Sequence, residues 1–121
     1  MATLKASTYK DHGTAVEHYL DRVDTLADQA RYIAPSLKEI HDQKVTEAKA
    51  GRGSLLKQEA KVLGVTIKAL AQLILDKYAE RQALIERVEV ARMYVKTCIR
   101  NAATPAEMHQ LVKEFESKLN Q

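Results

Sequence analysis

The chain has 121 residues, 45% of them hydrophobic and 29% charged, a balance that argues against disorder except at the ends and fits one soluble globular domain. A chain of this size buries roughly two-thirds of its unfolded surface, so it needs no metal or disulfide to hold together. The net charge of +3 is too small to name nucleic acid as a partner, although it is unevenly spread. Residues 1–50 carry 7 basic and 8 acidic side chains, and residues 51–121 carry 12 and 8. Cys98 is the only cysteine, so no intrachain disulfide is expected, in keeping with a reducing compartment.

The N-terminal residues lack the apolar core of a signal peptide, and residues 1–13 read as an irregular arm ending at Gly13. A single helical domain is expected from 14 to 121. Thr14 and Glu17 have capping-box spacing. Beyond them Val16, Tyr19, Leu20, Val23, Leu26, Ala27, Ala30 and Ile33 recur at helical steps, with Glu17, Asp21, Asp24 and Asp28 on other faces. Pro35 stops this helix or kinks it. Ser36 and Glu39 form a second capping box and open a helix over about 37–50 with a thin apolar face of Leu37, Ile40, Val45 and Ala48. Gly51 and Gly53 end it.

Ser54 is placed to cap a long segment, and from it to Ala103 there is no proline and one glycine, Gly64. An unbroken helix here would be roughly 70 Å long, twice the ~35 Å diameter of a compact chain this size. It therefore breaks, or it projects and pairs with another chain. Gly64 is one candidate break, because glycine costs about 1 kcal/mol inside a helix. The second is the polar region Asp76–Gln82. Leu63, Ile67, Leu70, Ile74, Leu84, Val88, Val95 and Ile99 share a face, and Lys77 and Arg81 fall on that same face, where charges are costly unless paired or exposed. The region therefore reads as a turn, a polar layer at an interface or a surface gap between two cores, and its lack of glycine or proline argues against a sharp turn. Thr104, Pro105 and Glu107 then open a last helix with a stripe of Met108, Leu111, Val112, Phe115 and Leu119. No alternation or hairpin signal indicates a strand. The fold expected is all-α, a small bundle of four helices, or five if the long one divides, with one unusually long helix.

Residues 56–75 resemble a helix-turn-helix DNA-binding motif, and the resemblance covers about a sixth of the chain. Ala60 stands where two helices would meet, Gly64 at the turn, and Val65, Leu70 and Leu73 at locking positions. The resemblance implies that Thr66, Lys68 and Gln72 face the major groove and that Lys57 and Lys61 meet phosphates. Glu59, Ile67 and Ala71 depart from the pattern, and the second helix lacks the arginine that most often reads guanine. Arg92, Lys96 and Arg100 step by four and form a basic stripe that would either grip phosphate or lie along the core edge.

His12, His18, His41 and His109 show no metal-binding spacing and read as surface residues. His41-Asp42 matches a metal phosphohydrolase only as a dipeptide. No phosphate loop or nucleophile elbow occurs, and Cys98 reads as a small core residue. Catalytic, metal and cofactor sites are not expected, nor is a small-molecule substrate. The run Val62–Leu75 is too short for a membrane span, and a cytoplasmic location is expected. The leading expectation is a non-catalytic helical protein–protein interaction module, self-associating, with Leu70, Leu73, Ile74, Lys77, Arg81, Leu84, Val88 and Val95 as core or interface. The alternative is a small duplex-DNA-binding regulator that uses residues 56–75.

Overall fold

The computed structural model describes residues 11–120. Five helices run in order: α1 (His12–Arg31), α2 (Pro35–Ala50), α3 (Ser54–Leu63), α4 (Ile67–Asn101) and α5 (Pro105–Leu119). No strand occurs among the described residues. The all-α class, the five-helix count and the one long helix agree with the sequence.

Helix starts differ from expectation in three places. α1 begins at His12, before Thr14, because the Asp11 carboxylate accepts the Thr14 amide at 2.7 Å and acts as the cap. Gly13 is therefore helical, and the rest of the expected arm, residues 1–10, lies outside the described residues. α2 begins at Pro35, with no side-chain cap. Proline's fixed φ and missing N–H suit the first helical position, so the Ser36–Glu39 box is bypassed. α3 starts at Ser54, but its capping group is not Ser54. Glu47, from α2, accepts the Leu56 amide at 2.7 Å. Gly53 leaves room for that carboxylate, because a Cβ there would collide with the Glu47 side chain. The Thr104 cap and Pro105 start of α5 are as expected.

The long run divides at Gly64. It does not divide at the charged region, since α4 passes through Lys77 and Arg81 without interruption. Lys77 is exposed and Arg81 half-buried. Neither charge enters a core, so the expected cost does not arise. Along the chain they fall between Ile74 and Leu75, which pack in one core, and Val88, which is buried in another.

Two compact units result: residues 11–32 with 85–120, and residues 33–84. In the first, α1 packs against α5. Its core gathers Tyr19, Val23, Leu26, Val88, Val95, Ile99, Met108, Val112 and the fully buried Phe115. Charges tie α1 to α4 at its edge. Asp24 accepts from Arg92 at 2.9 Å and from Lys96 at 2.9 Å, while Glu89 pairs with Arg92 and Arg31, each at 2.8 Å. Hydrogen bonds from Arg92 and Arg31 hold the Glu89 carboxyl at about 2, below its ordinary 4.5. Burial pushes the Asp24 carboxyl up, but bonds from Lys96 and Arg92 outweigh it and leave it lowered.

The second unit has a small core of Ala48, Leu56, Ala60, Leu70 and Ala71, flanked by Ile74 and Leu75. Lys44 pairs with Glu59 at 3.2 Å between α2 and α3. The Lys49 ammonium lies 5.1 Å above the Tyr78 ring, a cation–π contact between α2 and α4.

A carboxyl lowered by folding adds stability above its unfolded pKa and loses it as pH falls through the folded one. For Glu89 that window runs from 4.5 down to about 2. Glu89→Gln should lower the Tm at pH 7, and its melting curve should converge on the parent's as pH approaches 2. Thermal melts by circular dichroism across this range check it. An unchanged Tm at neutral pH would count against the network.

Candidate interaction surfaces

The α3–α4 junction is built by backbone requirements. Gly64 adopts the left-handed region at φ 70°. Its N–H bonds the Lys61 carbonyl at 3.3 Å, and the Val65 N–H bonds the Ala60 carbonyl at 3.0 Å. These two bonds make a Schellman ending, which satisfies the last carbonyls of α3. Thr66 then caps α4, its Oγ1 accepting the Ala69 amide at 3.0 Å. Three residues thus link two helices that share one core, in which the small, buried Ala60 of α3 lies with Leu70 and Ala71 of α4.

This arrangement bears directly on the resemblance to a helix-turn-helix. Turn, small residue and second helix all stand where the resemblance implies. Glu59, the residue out of pattern, is half-buried against Lys44. The groove-facing set is less free than implied. The Thr66 hydroxyl is used as a cap, and the Gln72 amide donates to Asp76 at 2.8 Å. Lys57, Lys61 and Lys68 are exposed and make no ion pair among the described residues. Arg92 and Lys96 do not form a free basic stripe with the exposed Arg100. They are committed to Asp24, and Arg92 also to Glu89.

The turn itself is apolar. Val62 is 84% exposed, and Leu63, Val65 and Ile67 are exposed beside it. All four lie within six residues of chain. Leu63 continues the Leu56–Ala60 face by one turn, past the end of the core. Residues 49–68 hold five basic side chains, Lys49, Arg52, Lys57, Lys61 and Lys68, and a single acid, Glu59.

A second apolar surface lies on α4. Val90 is 67% exposed, and Met93 and Tyr94 are exposed with it. Their three- and four-residue spacing puts them on one face, opposite the buried Val88, Val95 and Ile99. The exposed Glu86 and Arg100 stand seven residues before and after Met93. Hydrogen bonding to Cys98, one turn on, holds the Tyr94 hydroxyl above its ordinary pKa.

The expected interface residues are split by the fold. Leu70, Val88 and Val95 are spent in the cores. Ile74, Arg81 and Leu84 are half-buried, while Leu73 and Lys77 are exposed. The surfaces that sequence reasoning missed had a signal. Val62–Leu75 holds more apolar residues than one helical face can bury, and Val90, Met93 and Tyr94 lie across the helix from an apolar face already assigned.

Among the described residues no group of three or more His, Cys, Asp or Glu is placed to hold a metal ion, and no helix is long and apolar enough to cross a membrane. His12, His18 and His41 are exposed, and His109 is half-buried with its ring edge-on to Tyr19. In comparisons with known proteins, no family model, curated protein or solved structure matches the chain.

Proposed function

We propose that this protein is a non-catalytic helical interaction module, of the adaptor, inhibitor or assembly-component kind, that self-associates through the outer face of α4. The observation that carries this reading is the apolar stripe of Val90, Met93 and Tyr94 left in solvent opposite the core. A surface helix normally keeps one apolar stripe, and a second one calls for a second partner. The three form one i, i+3, i+4 set, the spacing by which a helix lays an apolar stripe against a partner. The charges favour another copy in an antiparallel sense. A pairing centred on Met93 sets Glu86 of each chain against Arg100 of the other, so both ends are complementary.

Duplex DNA binding through residues 56–75 is the second reading. It is favoured by the left-handed turn at Gly64 and the five-to-one basic excess around it. Under this reading duplex binding weakens steeply with salt, because lysines release counterions from phosphate. A titration at two ionic strengths, repeated with Lys57→Ala and Lys61→Ala, distinguishes it. Binding that ignores salt and both lysines would oppose it.

For self-association, sedimentation equilibrium should give a mass that rises with concentration from 13.6 kDa toward twice that value. Val90→Glu with Met93→Glu should leave the helix content intact and the chain monomeric. Glu86→Arg should weaken the dimer about tenfold, and adding Arg100→Glu should restore it, as interfacial charge pairs allow. A strict monomer at high concentration would sink the reading.

A further inference from the structure

The α3–α4 junction offers an apolar patch that the α4 stripe does not explain. We infer that the turn surface of Val62, Leu63, Val65 and Ile67, flanked in the chain by Lys57, Lys61 and Lys68, docks an amphipathic segment of a different protein that carries acidic flanks. Three observations lead there.

The first is a shortage of core in this unit. Residues 33–84 fully bury only Leu56 and Leu70 among their large side chains, with Ala48, Ala60 and Ala71 beside them. Leu37, Ile40, Val62, Leu63, Val65, Ile67 and Leu73 remain exposed. A unit of some fifty residues cannot afford to leave so much apolar surface in water, because the hydrophobic term it would gain is the main one opposing chain entropy. Covering the patch therefore stabilises the unit as well as the complex.

The second is charge. A second copy laid on the same surface would bring lysine against lysine, since residues 49–68 hold five basic side chains and one acidic. The one acid, Glu59, is taken by Lys44. Like charges face to face discriminate against a self-complementary interface, whereas acidic flanks on a foreign segment would be matched.

The third separates a protein partner from nucleic acid. Four exposed apolar side chains occupy the tip of the turn, where a groove reader would present hydrogen-bonding groups. Thr66 and Gln72, the polar residues available there, already bond Ala69 and Asp76. An amphipathic helix anchors by apolar residues at positions i, i+3 or i+4 and i+7 in such a surface.

This inference extends the interaction-module reading to a second surface, and the two fail separately, because peptide binding is read here and chain mass is read there. The test uses the full chain, labelled with ¹⁵N, and a synthetic helical peptide with leucines at i, i+4 and i+7 and glutamates on both flanks. The expected result is amide shift changes gathered at residues 61–68. The same peptide with lysine flanks should bind about tenfold more weakly. Val62→Asp, at a position too exposed to disturb the fold, should weaken the acidic peptide by a similar factor. The inference is overturned by any of three results: no shifts with the acidic peptide at millimolar concentration, shifts that map elsewhere, or equal binding of the lysine-flanked control. A DNA duplex that perturbs these amides more strongly than the peptide overturns it in favour of the DNA reading.

Discussion

The structure depends on one constraint, the fixed period of α4. Side chains on a helix advance about 100° per residue, so a residue's place in the chain decides which way it points. Over its first three turns α4 gives Leu70 and Ala71 to one core, with Ile74 and Leu75 beside them. Farther on it gives Val88, Val95 and Ile99 to another. What lies on the remaining faces cannot also be buried by these cores. Val90, Met93 and Tyr94 are exposed for that reason, not because they are polar.

The cores differ in what they receive. The unit that contains α1 and α5 obtains Phe115, Met108, Ile99 and Val23 at full burial, with an ion network along one edge. It has the large side chains that make burial effective. The unit of residues 33–84 is built largely on alanines. Its α2 contributes only Ala48 at full burial, leaving Leu37 and Ile40 outside. Compensation comes from polar devices: the Glu47 carboxylate over the start of α3, the Lys44–Glu59 pair and the Lys49–Tyr78 contact. Such contacts fix geometry more than they add stability, since partly exposed pairs contribute about 0–1 kcal/mol. Exposed apolar surface and a thin core thus coincide in this unit.

Much of this was legible in the sequence. Helical periodicity gave the α1 and α5 faces nearly residue for residue, because both helices are amphipathic with a single partner side. Thr104-Pro105 and Gly51 marked their helix ends through local stereochemistry alone. Asp11 was missed as a cap because Thr14 and Glu17 offered a rival box three residues later. Glu47 was missed because its capping contact with Leu56 joins two helices, and spacing rules within one helix cannot register it. The charged positions Lys77 and Arg81 suggested a break because they fall on an apolar face. That face, however, belongs to no core at those residues. For the candidate site, the turn at Gly64 was visible as one of two readings. The apolar character of its tip follows only once Leu70 and Ala71 are known to take the buried side.

The chain turns at Gly64 and then runs as one helix through the charged region to Asn101, with apolar side chains left on its outer faces. Backbone carbon chemical shifts from residue 54 to 103 test it most directly. Helical shifts are expected over Ser54–Leu63, an interruption at residues 64–66, and helical shifts without a gap from Ile67 to Asn101. Helical shifts that continue through Gly64, or that vanish between Asp76 and Gln82, would contradict it.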